Sequence, residues 1–188
     1  MINWNGIEGF SKGEFAPPED IGIDWDMHQK LIDKLVELRE TSLPKYDGKF
    51  RVLVHENGGF AVDGHSEKSL HYGDPAAPEG AIKIGRAVDF HMEHYSIKHN
   101  CWALVPWLEQ AMLLYPLLDE DCWGVGLYPN WNQQGFHLDY RLGVRNAAVW
   151  WTKPVGGYKA YAFDYFSEAL MDVLKNKFMV EEGQRERE

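Results

Sequence analysis

Three stretches hold the residues whose types and spacing could do chemistry: Ser69-Leu70-His71, then Gly85-Arg86-Ala87-Val88-Asp89, then Gly135-Phe136-His137-Leu138-Asp139-Tyr140-Arg141. They set two histidines and an aspartate among strand-forming and apolar neighbours. Neutral imidazole and carboxylate suit Zn²⁺, and catalytic zinc typically takes three protein ligands and leaves a fourth position for water. His71, Asp89 and His137 are the candidate three. Against them stands the ordinary reading, since a single histidine on an apolar strand is more often a hydrogen-bonded core residue than a ligand. Asp139 falls on the same strand face as His137, because side chains alternate with period 2. It would serve as general base, or as a carboxylate that hydrogen-bonds a ligand or Arg141. His91 shares a face with Asp89 and is the substitute ligand should His71 be displaced. His55 and His65 are candidate substrate contacts. His94 and His99 are five apart, which does not align a helix face, and read as solvent-facing or as supports for a ligand.

These residues need elements to position them. Residues 1–24, rich in Gly, Pro, Asp and Glu, read as an N-terminal arm pinned by Phe10-Ser11-Lys12-Gly13-Glu14-Phe15 and ended by Pro17-Pro18. Over 26–40 the apolar residues Met27, Leu31, Ile32, Leu35, Val36 and Leu38 recur at helical spacing, and Pro44 marks the stop. Strands are expected over 50–55, 81–84 and 87–92, the last carrying Asp89. Residues 74–79, with Pro75 and Pro78, read as a surface excursion. A second helix is expected over 104–115 with Pro106 in its first turn. Strands follow over 123–128, 136–140 and 147–151, the first two joined by the polar turn 129–134. A last helix is expected over 160–178, and 181–188 reads as a frayed tail. The pattern implies one α+β domain spanning 1–188, a central antiparallel sheet with helices packed around it.

Composition bounds the function. The 188 residues are 45% hydrophobic, and 19 Lys and Arg against 29 Asp and Glu give a formal charge of −10. That balance argues against general affinity for nucleic acid or an anionic membrane surface. The pairs Trp102/Trp107 and Trp150/Trp151, among eight Trp, read as core. Cys101 and Cys122 are too few for a disulfide framework and read as reduced, buried thiols. Residues 1–8 show no basic segment followed by an apolar one, so synthesis in the cytoplasm without a signal peptide is expected. No apolar run reaches the roughly 20 residues that a spanning helix needs.

At the three stretches the chain resembles the zinc D-Ala-D-Ala carboxypeptidase and L-Ala-D-Glu endopeptidase superfamily of peptidoglycan peptidases, whose fold is shared with the hedgehog signalling domain. The family pattern is Ser-x-His-x-x-Gly-x-Ala-x-Asp followed by a distant His on a strand. Ser69-x-His71, Gly85-x-Ala87-x-Asp89 and His137 match its parts. The opening Phe-Ser-x-x-Glu-Phe, the helix ending Leu38-Arg39-Glu40, and Gly124-Val125-Gly126-Leu127-Tyr128-Pro129 are similar to phage and prophage members. The resemblance spans most of 10–151 and implies His71, Asp89 and His137 as zinc ligands. Two departures stand out. His71 and Asp89 lie eighteen residues apart, eleven more than the family's seven; closing a longer loop costs little, because its entropy grows logarithmically. The family's acid a few residues before the last His is missing, since Trp131-Asn132-Gln133-Gln134-Gly135-Phe136 carries no carboxylate. Asn57-Gly58-Gly59-Phe60 occupies the region before Ser69 where the family often has a substrate-gripping Arg, and Arg86 or Arg141 would replace it, with Ser69 a further substrate contact.

The expected function is a zinc metallopeptidase that hydrolyses an amide bond of peptidoglycan stem peptides. Zn²⁺ would lower the pKa of its bound water to about 7 and polarise the scissile carbonyl. Without a signal peptide, the protein would reach the wall by lysis, by a holin-like route or as part of a phage particle. The competing expectations are a zinc-binding structural or binding module without the chemistry, and a cytoplasmic zinc amidase acting on non-wall peptides.

Overall fold

Alternation along two neighbouring strands sets the plan. In Ala87-Val88-Asp89-Phe90-His91-Met92 and Phe136-His137-Leu138-Asp139-Tyr140, every second residue is apolar and the residues between are small or ionisable. A strand sends these two sets to opposite faces, so one face must be covered and the other can carry a site.

The structure is a computed structural model and describes residues 1–17, 23–56, 58–61, 69–72, 81–118, 122–141, 147–152, 158–162 and 165–185. Its elements are β1 (Trp25–Met27), α1 (Gln29–Ser42), β2 (Phe50–Val54), β3 (Lys83–Gly85), β4 (Ala87–Ser96), β5 (Cys101–Leu104), α2 (Trp107–Leu114), β6 (Trp123–Tyr128), β7 (Gly135–Tyr140), β8 (Ala148–Thr152), β9 (Tyr158–Ala162) and α3 (Phe166–Arg185). The main sheet has seven strands in the order β2-β4-β7-β6-β8-β9, with β5 also paired to β4. The fold is α+β with three helices, as expected. The sheet is mixed rather than antiparallel, because β8 runs parallel to β6 and β1 pairs β3 in a separate parallel ladder. Alternation reports which face a residue takes, and strand direction leaves no mark in it.

One face of the sheet is core. Val88, Phe90, Phe136, Leu138, Val125, Leu127 and Val149 are wholly buried, together with Leu31, Ile32, Leu35 and Leu38 of α1 and Ala169 and Val173 of α3. The arm joins this core through Phe10 and Phe15. Its turn Lys12–Phe15 is closed by a Ser11/Glu14 capping box. The Asp26 carboxylate accepts the Ile2 N–H at 2.8 Å and the Trp4 indole N–H at 3.0 Å, which anchors the first residues.

Several expected boundaries move. Residues 25–27 are strand, with Met27 buried, and α1 starts only at Gln29, where the His28 ring accepts the Lys30 N–H. Pro106 is the N-cap of α2 rather than part of its first turn. Residues 158–162 form β9 against β8, so the last helix begins at Phe166, and its backbone runs to Arg185. Strand β5 was not anticipated. It returns from a turn at Ile97–Asn100 with Asn100 at φ 52°, a left-handed conformation that Asn tolerates. That hairpin exposes Cys101 and much of Trp102, so Cys101 is not a core residue, while Cys122 is half-buried against the edge of the core. Trp107 and Trp151 are buried as expected, whereas strand alternation turns Trp150 to the other face. The expected excursion at 74–79 and His65 lie outside the described residues.

Candidate metal centre

The second sheet face is where the candidate residues meet. The β4–β7 register sets Asp89 opposite His137 and Ala87 opposite Asp139. The row continues through β6, where Gly126 stands opposite His137 and Gly124 opposite Asp139. On β8, Trp150 pairs with Gly126 and Ala148 with Gly124. The two glycines leave room for the side chains on either side. A Cβ on Gly126 would come within 2.6 Å of the Tyr128 ring and 2.9 Å of the His137 Cβ, and one on Gly124 would fall inside the Arg141 guanidinium.

His71 reaches this row from a turn outside the sheet. The Arg86 N–H donates to the Leu70 carbonyl at 2.7 Å and the Ala61 N–H to the His71 carbonyl, which clamps the turn over β4. His71 is 2% exposed. The eighteen-residue separation from Asp89 therefore does not keep the two apart, and His91 is not needed in place of His71.

The three donors converge. His71 Nε2 lies 3.2 Å from His137 Nδ1 and 3.7 Å from Asp89 Oδ1, and His137 Nδ1 lies 2.7 Å from Asp89 Oδ1. Tetrahedral zinc with bonds of about 2.0–2.1 Å requires donors about 3.3 Å apart, so the three separations bracket the required value. Among the described residues, this is the group of three or more His, Cys, Asp and Glu side chains whose ligand atoms gather closely enough to hold a metal ion.

The remaining ring nitrogens fix the tautomers. The His71 Nδ1–H donates to the Gly59 carbonyl at 2.8 Å. The His137 Nε2–H donates to Asp139 Oδ2 at 3.1 Å. With both protons held outward, neutral His71 and His137 present lone pairs to the same point as the Asp89 oxygen. Such an arrangement is repulsive until a cation, a proton or a metal ion, enters it. Metal-binding histidines are held this way, with the second nitrogen bonded to a carbonyl or carboxylate.

The electrostatics agree. Burial pushes the His137 pKa down, but the Asp89 charge and the Asp139 and Asp89 hydrogen bonds outweigh it and raise it to about 9. Burial pushes Asp89 up, yet the facing His137 and His71 hold it below the usual carboxylate range. Asp139 is 2% exposed and is held at about 2, because the hydrogen bonds of His137 and Arg141 outweigh its burial. Arg141 binds it through two nitrogens, at 2.5 Å to Oδ1 and 3.0 Å to Oδ2, and lies over the Trp150 ring at 4.7 Å. Both oxygens of Asp139 are thus committed.

A cavity of about 380 Å³ opens beside His137, lined by Ser69, Leu70, Tyr128, Asp139, Arg141 and Trp150 among others. Ser69 and Arg141, the expected substrate contacts, are both among its lining residues. Arg86 is not among the residues that line it; the Arg86 carbonyl accepts the Tyr140 N–H, which ties β4 to β7. His55 and His91 pack together with ring centroids 4.9 Å apart on the same sheet face. Burial lowers both pKa values, that of His55 to about 4. His94 stacks on Tyr46 and His99 is exposed, so neither joins the centre.

Sequence reasoning missed Tyr128 and Trp150 as cavity walls and Gly59 as a ligand support. Two glycines at alternate positions inside a strand were the available signal, since interior strand glycine marks close approach. Comparison of the chain with protein-family models, curated proteins and solved structures finds no match.

Proposed function

We propose that the chain is a zinc-dependent peptidase that hydrolyses an amide bond in the stem peptide of peptidoglycan, of the carboxypeptidase or endopeptidase kind that its motifs resemble. The observation that carries this reading is the convergence of His71 Nε2, Asp89 Oδ1 and His137 Nδ1, with both other imidazole nitrogens held outward. When bound, Zn²⁺ supplies a Lewis acid that polarises the scissile carbonyl and acidifies water. His71, Asp89 and His137 would hold it. Water adds to the carbonyl, the C–N bond breaks, and a proton passes to the leaving amine.

Asp139 orients His137 in this reading, since a carboxylate held at about 2 is a weak proton acceptor near neutrality. Arg141 keeps Asp139 ionised, so a substrate carboxylate would have to compete with Asp139 for it. Leu70, Ala148 and Ala160 give the cavity an apolar wall suited to a small side chain of the stem.

The test is the zinc content of the purified protein beside hydrolysis of muropeptides by wild type and Asp139→Ala, with products read by mass. Cleavage by the zinc-loaded wild type is expected, as is loss in Asp139→Ala that excess zinc restores. Loss that zinc does not restore would return Asp139 to the role of general base. A zinc-loaded wild type that cleaves no stem peptide would favour a second reading, a metal-binding module without catalysis. One observation favours that reading: the turn at 129–134 offers Trp131, stacked on Tyr128 at 4.0 Å, where a catalytic carboxylate would be needed.

A further inference from the structure

One step along β4 from Asp89, on the same face, His91 is 2% exposed and neither of its ring nitrogens has a hydrogen-bond partner among the described residues. Beside it, His55 Nε2 is also buried and unpartnered among those residues. His55 prolongs the β2–β4 ladder, its N–H donating to the Asp89 carbonyl at 2.8 Å, which puts it across the ladder from Asp89. Its ring lies over β7, where a Cβ on Gly135 would stand 3.3 Å from His55 Nε2. Trp131 packs on the His55 ring, with centroids 5.2 Å apart.

Three buried imidazole nitrogens without hydrogen-bond partners among the described residues are costly, and such a group points to a water or an ion that completes it. Glu93 approaches only one of the three. Its Oε1 is 3.4 Å from His91 Nε2, while its Oε2 takes Arg51 at 2.5 and 2.9 Å. Imidazole pairs from adjacent strands suit borderline divalent cations of the zinc and cobalt class.

We propose that His55 and His91 form a second transition-metal site beside the His71–Asp89–His137 centre, a pair of imidazoles with no third protein donor gathered on it among the described residues. The inference does not depend on the substrate, nor on whether the first centre is catalytic. With two imidazoles instead of three protein donors, the second site binds more weakly and fills after the first.

The test is titration of the metal-stripped full chain with Co²⁺ and with Zn²⁺, reading stoichiometry by elemental analysis and the cobalt bands by absorption. Two equivalents are expected in the wild type, the second the weaker. His55→Gln and His91→Gln each remove the weaker equivalent and leave the first cobalt spectrum intact. His137→Ala removes the tighter one and leaves the weaker, which separates failure of this site from failure of the first. A single equivalent in the wild type overturns the proposal and assigns the pair to a bound water, whether or not the variants fold. So do two equivalents that persist in folded His55→Gln and His91→Gln.

Discussion

The two faces of the sheet obey opposite rules although the same strands build both. On the helix-covered face, Phe90, Phe136, Leu138 and Val125 are wholly buried, and their stability is that of apolar area removed from water. On the other face, the same strands bury Asp139 and His91 and set Asp89 against His137, groups that cost energy unless each is paired. Neighbours in sequence therefore differ in what they contribute: Phe136 holds the fold and His137 holds a charge. The largest effect tests that division. Phe136→Ala should cost roughly 3–5 kcal/mol of stability, with or without zinc, as large-to-small core changes do. His137→Ala should abolish the zinc-dependent rise in melting temperature from the first centre. Retention of that tight equivalent in folded His137→Ala would end the ligand assignment.

That division was legible in the sequence wherever period 2 was clean. β6 was read with its observed bounds and β7 within one residue, and the faces of Asp89, His91, His137 and Asp139 followed from parity alone. Hydrogen bonding of Asp139 to Arg141 was one of the alternatives the sequence left open, and the structure has it. What parity cannot carry was lost. The direction of β8 was one such loss. Another was β9, where Ala162 stands four residues before Phe166 and so fits a helical spacing as well as a strand, and pairing with β8 decides between them. Met27 was read into a helix because its strand exists only through β3, more than fifty residues on. The Gly59 carbonyl behind His71 and the contact of His55 with His91 are products of long-range closure, and nothing local announces them.

The charged face should respond to pH in a way the apolar face cannot. In the metal-free protein, the His137 pKa of about 9 lies above its ordinary 6.5. A raised pKa contributes stability that is fully present below about 6.5 and is lost as pH rises through about 9, at no more than about 1.4 kcal/mol per pH unit for one proton. Asp139 has the opposite sign. Its contribution is present above its ordinary 3.8 and is lost as pH falls through about 2. Saturating zinc replaces the proton at His137 and should flatten the alkaline limb. Melting curves from pH 6 to 10, with and without zinc, check this, and an alkaline limb that zinc leaves unchanged would detach His137 from the metal.

A smaller effect separates a ligand from its support. Asp139→Asn keeps the shape but weakens the hold on His137 Nε2–H, and zinc affinity should fall about 10–100-fold without loss of stoichiometry. Gly124→Ala should act in the same direction, because its methyl group displaces the Arg141 guanidinium that fixes Asp139. Competition with a chromophoric chelator measures both. Unchanged affinity in Gly124→Ala would mean that Arg141 contributes nothing through Asp139.

The smallest effect lies at the rim, where Trp150 and Trp151 repeat the contrast between faces. Trp151 is buried in the core, while Trp150 packs on His137 with centroids 5.2 Å apart and donates its indole N–H to the Tyr128 hydroxyl at 3.0 Å. Tyr128→Phe removes that acceptor and leaves the ring in place. The loss should be about 0.5–1.5 kcal/mol at most, because a half-buried indole N–H can turn to water instead. Zinc affinity should hold, since no ligand or ligand support is touched. If the cavity receives the substrate, KM should rise while kcat changes little, because Trp150 forms its wall and transfers no proton. A fall in kcat at constant KM would instead place Tyr128 against the reacting atoms, and the rim would then belong to the chemistry rather than to recognition.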